Sequence, residues 1–93
     1  MAQVTVTFTF VPSPDELKYA AYVDSTPLNI VNGQASIVLP QGEEHIVYWW
    51  MWGNAGDSLA ITGNNGSSDV LTVKASTIPT NTTKAAGYKR FTP

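Results

Sequence analysis

The sequence predicts an all-β fold, a single-domain antiparallel β-sandwich of about seven short strands with at most one helical turn. Several short runs alternate between hydrophobic and polar side chains, as half-buried strands do. Turn signals rich in glycine, asparagine and proline separate these runs at intervals of roughly 8 to 12 residues. The chain has 93 residues, enough to bury one core and too few for two domains. We therefore expect residues 1–93 to form one domain.

The N-terminal segment has the clearest alternation in the chain. Apolar residues are separated by threonines, in the order Val4, Thr5, Val6, Thr7, Phe8, Thr9 and Phe10. This pattern predicts a half-buried strand whose threonines face outward. The next residues, Ser13 to Glu16, match a capping box with proline at the first helical position. They predict a single helical turn that leads into a strand from about Tyr19 to Val23.

The dipeptide Asn32-Gly33 predicts a tight hairpin, because a type I′ turn needs a positive φ at both of its central residues. The flanking segments 28–31 and 34–39 are therefore expected to pair as two strands. In the second of these segments, the residues expected to face the core are Ala35, Ile37 and Leu39.

Two further strands are predicted in the C-terminal half, over residues 58–62 and 71–74, where leucine, isoleucine and valine alternate with smaller or polar residues. Residues 63–68 between them are all glycine, asparagine or serine, which predicts a mobile surface loop. Residues 77–83 include four threonines and one proline and are expected to act as a linker. Segment 80–93 is predicted to be either an edge strand or a tail.

The segment from His45 to Gly53 contains all three tryptophans of the chain. Its apolar and aromatic run is too short for a membrane-spanning helix, which needs about 20 residues, so we expect no membrane insertion. Aromatic and β-branched residues favour a strand here. Because strand side chains alternate, one face would carry His45, Val47, Trp49 and Met51, and the other Ile46, Tyr48, Trp50 and Trp52.

A corner motif before this segment indicates which of its two faces is buried. Residues Leu39-Pro40-Gln41-Gly42, followed by His45 and Val47, resemble the Leu-Pro-x-Gly corner of many transthyretin-like and immunoglobulin-like sandwiches. The resemblance implies that His45, Val47 and Trp49 face the core. It places Tyr48, Trp50 and Trp52 outside, where a ligand, a second chain or the domain's own tail would have to cover them.

Composition excludes several classes of function. Charged residues make up 13% of the chain, about half of the usual share of roughly 25%. A net charge of −2 provides no clustered basic face, so nucleic-acid binding is not predicted. The lack of cysteine excludes disulfides, thiolate zinc sites and cysteine catalysis. No signal peptide is predicted at the N-terminus, and secreted, virion-associated and cytoplasmic locations are all compatible with the sequence.

The residues offer no catalytic or metal-binding motif. The single histidine, His45, is expected to be a structural residue at a strand start rather than a general base. Zinc hydrolysis needs three or four His, Cys or carboxylate ligands. The adjacent carboxylates Glu43 and Glu44 would point in different directions on a strand, unlike the pair in a glycosidase. We therefore predict no enzyme, no metal and no cofactor.

Calcium is the one cation that the sequence leaves open, because loop oxygens supply its ligands readily. The oxygen-bearing loop residues that could cluster at one end of the sandwich are Asn54, Asp57, Asn64, Asn65 and Asp69. Their spacing does not match an EF-hand. Ordinary turn formation is the preferred explanation for them.

The remaining class of function is binding through the outward aromatic face. We predict a lectin-like carbohydrate-binding module, since aromatic rings stack on the apolar faces of sugars while loop amides and carboxylates bond the hydroxyls. The predicted site consists of Tyr48, Trp50, Trp52, Asn54 and Asp57. The alternative is a structural protein that buries the same face against a protein partner, in a homo-oligomer or a larger particle. A third hypothesis is a monomer whose tail folds back over the face.

Overall fold

The structure is a computed structural model that describes residues 2–93. Within this range the chain forms two antiparallel sheets of four strands each. In chain order the strands are β1 (Gln3–Ser13), β2 (Lys18–Val23), β3 (Thr26–Pro27), β4 (Gln34–Pro40), β5 (His45–Trp52), β6 (Ser58–Asn64), β7 (Asp69–Thr77) and β8 (Lys84–Phe91). One sheet has the order β4-β1-β6-β7 and the other the order β3-β2-β5-β8. The predicted all-β sandwich is confirmed.

The core lies between the sheets and is built by the inward residues of both. Phe8 of β1, Ile61 of β6 and Met51 of β5 are each 0% exposed. The ring of Phe91 meets the ring of Phe8 edge to face, with 5.7 Å between centroids. Burying a side chain of this size stabilises the fold by about 1.5–3 kcal/mol relative to leaving it exposed. Alternation along each strand places these side chains on one face of each sheet, and their burial drives the two sheets together.

The N-terminal strand follows its predicted alternation, but the predicted helical turn does not form. Residues 14–16 make a turn, in which the Leu17 N–H donates to the Pro14 carbonyl at 3.0 Å. Leu17 is buried, so the chain has to turn inward directly after Glu16 and a helix has no room. Residues 2–93 contain no helix. The described part of the chain therefore holds no helix long and apolar enough to cross a bilayer.

The Asn32-Gly33 turn is confirmed by its dihedrals, with φ of 52° and 77°. The predicted strand over residues 28–31 is wrong, however, because only a single bridge joins Val31 to Gln34. The Leu28 N–H donates to the Ala21 carbonyl at 2.9 Å, which keeps this segment attached to β2. The partner of β4 is β1 instead.

In the C-terminal half, the predicted loop 63–68 and the predicted linker 77–83 make more specific contacts than their composition predicts. Gly63 and Asn64 belong to β6, and the Asn65 side-chain oxygen accepts the N–H groups of Ser67 and Ser68 at 2.9 Å each. The turn is thus shorter than the predicted loop. Ile78, in the predicted linker, is 1% exposed and its N–H donates to the Asp57 carbonyl at 2.8 Å. The segment is therefore anchored in the core by Ile78, while its other residues are exposed.

The last strand settles the choice between edge strand and tail. Residues 84–91 form β8, which pairs with β5 along its whole length. The inward position opposite Val47 is Lys89, whose Nζ donates to the Thr72 carbonyl of β7 at 2.8 Å. A lysine therefore occupies the side of the sandwich where β7 and β8 approach each other.

Candidate functional site

Strand β5 separates the three tryptophans onto two faces, as the sequence predicted. It lies between β2 and β8, so its outward side chains stand in the middle of a sheet. Trp49 is 5% exposed, whereas Trp50 is 39% and Trp52 47% exposed. Tyr48 is partly buried. The core side of β5 is therefore the one carrying His45, Val47, Trp49 and Met51.

Trp49 is fixed in the core by two specific contacts. A Cβ placed on Gly87 of β8 would lie 2.5 Å from Cζ2 of Trp49, so the indole occupies the space that a side chain would need. Its Nε1–H donates to Oγ of Ser76 in β7 at 3.0 Å. This bond satisfies the buried indole donor. Trp49 thereby joins β5 to its neighbour and to the opposite sheet.

We call the outer surface of β2, β5 and β8 the aromatic face. Its outward-pointing residues are Lys18, Ala20, Tyr22, Ile46, Tyr48, Trp50, Trp52, Lys84, Ala86, Tyr88 and Arg90. The strand register sorts them into rows across the sheet. Trp50 lies between Ala20 and Ala86, and Tyr48 lies between Tyr22 and Tyr88.

The rings of the aromatic face hold one another in position. Tyr22 meets Trp50 edge to face, at 5.3 Å between centroids and 86° between planes. Tyr48 stacks against Trp50 at 6.5 Å and 26°, and its ring is tilted against that of Tyr88 at 6.3 Å and 40°. Such pairs contribute about 0.5–1.5 kcal/mol beyond area burial. Trp50 is therefore the centre of a preorganised aromatic cluster.

Small residues beside Trp50 leave a depression on each side of its ring. On the β2 side, a depression of about 230 Å³ is lined by Ala20, Tyr22, Trp50 and Trp52. On the β8 side, one of about 280 Å³ is lined by Trp50, Lys84, Ala85 and Ala86. The indole thus presents both of its flanks to any molecule that lies across the sheet.

Tyr22 and Tyr88 were missed by sequence reasoning although both belong to the aromatic face. Alternation within Tyr19 to Val23 could have placed Tyr22 opposite the buried Ala21. What the sequence lacks is the register that aligns Tyr22 and Tyr88 with Tyr48. Since β8 contributes Ala86 and Tyr88 to the face, the hypothesis that a tail folds over it is wrong for residues 84–91.

The loop residues of the predicted site lie in a tight turn that follows β5. The Asp57 carboxylate accepts the Asn54 N–H at 2.9 Å, and the Asp57 N–H donates to the Asn54 carbonyl at 3.0 Å. A Cβ on Gly53 would lie 2.6 Å from this carboxylate and 2.8 Å from the buried Leu17, which puts the carboxylate on the core side. The structure thus brings together Tyr48, Trp50 and Trp52 but holds Asp57 in a turn.

The carbonyl, carboxylate and amide groups considered for calcium do not form one cluster. Asn54 and Asp57 precede β6, whereas Asn64, Asn65 and Asp69 surround its other end. A strand of 7 residues spans about 20 Å, so the two sets are separated by the length of the sandwich. Within residues 2–93, no three His, Asp or Glu side chains are grouped as metal ligands.

His45 is buried at the start of β5 and bonded to Asp24. Its Nδ1 lies 2.8 Å from Oδ2 of Asp24, and Oδ1 of the same carboxylate accepts the Ile46 N–H at 3.0 Å. Burial opposes the charged imidazolium, but the hydrogen bonds to Asp24 and to the Pro40 carbonyl outweigh it and raise the pKa of His45. Burial likewise opposes the Asp24 carboxylate, yet bonds from His45 and Ile46 lower its pKa. The pair fastens the start of β5 to the end of β2.

Another depression, of about 360 Å³, lies beside the start of β2 and shares Lys18 with the aromatic face. It is lined by Leu17, Lys18, Tyr19, Ile30, Asn32 and Gly33. Its lining has one aromatic ring and one charged side chain. The aromatic face, with rings on three adjacent strands, is the better candidate for recognition.

The fold and this face define a class of protein, an all-β sandwich that presents aromatic side chains on the outside of one sheet. We find no significant match to this chain among protein-family models, curated proteins or solved structures.

Proposed function

We propose that this protein is a non-catalytic carbohydrate-binding module that uses the aromatic face. The observation that carries the proposal is the central position of Trp50, which is 39% exposed and has a depression on either side. An indole in this setting can stack on the apolar face of a sugar ring. Monomeric soluble proteins rarely expose large apolar patches without a partner, so the face is expected to have an occupant.

The scaffold supports recognition because the rings stand on paired strands rather than on loops. Sites built on regular elements hold their geometry more closely than sites on loops. Tyr22 and Tyr48 both contact the Trp50 ring, which restricts it before any ligand binds. Less conformational entropy is then lost on binding.

Self-assembly through the same face is the second candidate function. It is favoured by the exposure of Trp52 and Tyr88, at 47% and 61%, because Trp and Tyr are enriched among residues that dominate the energy of protein interfaces. A homo-oligomer would bury these rings against a second copy. The carbohydrate hypothesis instead requires them to be accessible in solution.

Light scattering after size exclusion, combined with titration of a panel of neutral and acidic oligosaccharides, separates the two functions. We expect a monomer whose tryptophan fluorescence changes on sugar addition. Trp50→Ala should weaken binding by at least about tenfold, as loss of a central aromatic anchor does. The matched control is Val38→Ala, at a 59% exposed position of β4 in the other sheet.

Two outcomes would contradict the carbohydrate proposal. One is a stable dimer that Trp50→Ala converts to a monomer, which would assign the face to assembly. The other is a monomer that binds none of the oligosaccharides, or that binds them equally well after Trp50→Ala. Unchanged binding by Val38→Ala alongside a loss in Trp50→Ala would support the proposal.

A further inference from the structure

We propose that the sugar chain bound by the aromatic face is acidic, carrying carboxylate or sulfate groups. This inference rests on the proposed function and adds the chemical class of its ligand. It comes from the charge and hydrogen-bonding character of the face, which differs from that of the whole chain. The chain has a net charge of −2, yet the aromatic face is cationic.

The outward positions of β2, β5 and β8 include three charged residues, and all of them are basic: Lys18, Lys84 and Arg90. In the described part of these strands, no outward position holds a carboxylate, an amide or an aliphatic hydroxyl. Lysine, arginine and the indole N–H only donate hydrogen bonds, and a tyrosine hydroxyl can donate or accept. A face so rich in donors is complementary to a ligand rich in acceptors.

The cations are placed where a bound chain would pass them. Lys18 and Lys84 lie on either side of Trp52 in the same row across the sheet. Lys84 also lines the depression beside Trp50. A sugar ring stacked at Trp50 or Trp52 would therefore have an ammonium group at its edge, and charge-assisted hydrogen bonds to anions are about twice as strong as neutral ones.

The acidic groups near this face are already engaged or lie off the strands. The Asp24 carboxylate bonds to His45 and to the Ile46 N–H, and Glu44 lies 3.6 Å from Arg90. Asp15 and Glu16 belong to the turn that precedes β2. Lys18 and Lys84 have no acidic cross-strand neighbour in the described sheet, so their charges are available to a ligand.

The same charges disfavour a second copy as the occupant. In a two-fold symmetric dimer the same patch faces itself. The cationic rows of the two copies would then be brought together over an apolar centre, and like charges across an interface cost affinity. A ligand of opposite charge removes this repulsion.

Single-stranded nucleic acid also combines stackable rings with negative charge. Its binding grooves follow the phosphate backbone with a continuous line of basic residues. On the aromatic face the central rows of Trp50 and Tyr48 contain only alanines and tyrosines beside them, so the cations occupy the ends. This spacing favours a sugar chain that carries fewer than one charged group for every sugar ring.

Paired probes that differ only in charge test the inference. The two pairs are partly methyl-esterified oligogalacturonate with the full methyl ester, and sparsely sulfated dextran with plain dextran, each titrated against the full chain by calorimetry. In at least one pair the charged member should bind at least about tenfold tighter at low salt, and the difference should shrink as salt screens it. Lys18→Gln combined with Lys84→Gln should reduce that preference by about tenfold, since it removes both ammonium groups beside Trp52 and with them the charge-assisted hydrogen bonds to the anion.

The control variant is Lys74→Gln, an exposed lysine on β7 of the other sheet, which should leave both affinities unchanged. Equal binding of the charged and neutral members in both pairs would overturn the acidic ligand while leaving carbohydrate binding intact. Binding of no sugar at all would refute the proposed function itself. Tighter binding of a thymidine oligonucleotide, lost in the double lysine variant, would reassign the face to single-stranded nucleic acid.

Discussion

Trp49 and Trp50 are adjacent in the chain and have opposite environments. Trp49 is closed in by Gly87 below and Ser76 across the core, whereas Trp50 is bordered by two alanines and two tyrosines on an open sheet. The residue type is the same, so the difference comes entirely from the pleat of β5. A strand with one buried and two exposed tryptophans can separate stability from recognition, and each can be changed on its own.

Truncating the two tryptophans gives the largest expected contrast. Trp49→Ala should lower the free energy of unfolding by about 3–5 kcal/mol, because it leaves a cavity in the core and removes the partner of Ser76. Trp50→Ala should cost less, about 1–3 kcal/mol, because its ring is partly in water and the loss is chiefly that of its two ring pairs with Tyr22 and Tyr48. Denaturant titration of both variants measures the two losses.

If Trp49→Ala does not fold, Trp49→Phe provides a milder test of the same position. It should still destabilise more than Trp50→Phe, because only the first substitution removes a buried hydrogen bond. Equal losses at both positions, or a larger loss at Trp50, would show that the faces of β5 are assigned the wrong way round.

A smaller effect is expected from the β8 residues under the two rings. Gly87→Ala should destabilise by about 1–3 kcal/mol, because its methyl group would overlap the Trp49 indole and force the core to shift. Ala86→Val, its outward neighbour, should change stability by no more than about 0.5 kcal/mol. Thermal unfolding of the pair checks this.

The variants Ala86→Val and Gly87→Ala also distinguish an effect on binding from an effect on folding. Ala86→Val narrows the depression beside Trp50 and should weaken sugar binding in a fully folded protein. A Gly87→Ala variant as stable as the wild type would contradict the close packing of Trp49 on β8.

The smallest effect is a pH dependence at the start of the buried row of β5. The raised pKa of His45 means that its contribution is full below its ordinary value of 6.5 and is lost as pH rises through the raised value. The lowered pKa of Asp24 means that its contribution is present above 3.8 and is lost as pH falls below that. The pair should stabilise most between these two values.

Denaturant titrations across this range measure the effect. His45 is the only histidine in the chain, so a fall in unfolding free energy as the pH rises above 6.5 can be assigned to it by His45→Gln. The fall should be at most about 1 kcal/mol, because Asp24 is half exposed. If His45→Gln kept the full pH dependence, the effect would not come from His45.

The features that sequence analysis predicted are those written in local patterns. Alternation identified β1 and the two faces of β5, and positive φ at Asn32 and Gly33 followed from turn chemistry. Pairing between distant strands is not encoded locally. The match of Tyr48 with Tyr88 joins segments 40 residues apart, and a shift by one residue would reverse every side chain of β8.

The errors have the same origin. Residues 28–30 have the composition of a strand, but their backbone is held by Ala21 of β2, a contact that no window of the sequence includes. Ile78 stands in a run of polar residues and is buried because the turn at Asp57 receives its backbone. The cationic character of the aromatic face was missed because its lysines come from two strands that only the fold makes neighbours.

Lys89, which lies between β7 and β8, bears on whether the protein aggregates through its sheet edge. Strand β8 is the last of its sheet in the described chain, and outermost strands offer backbone groups that can template the growth of fibrils. An incoming strand at β8 would have to strip water from the Lys89 ammonium or break its bond to Thr72. The sheet that displays the tryptophans thus has a charged side chain at β8, one of the four outermost strands of the described sandwich.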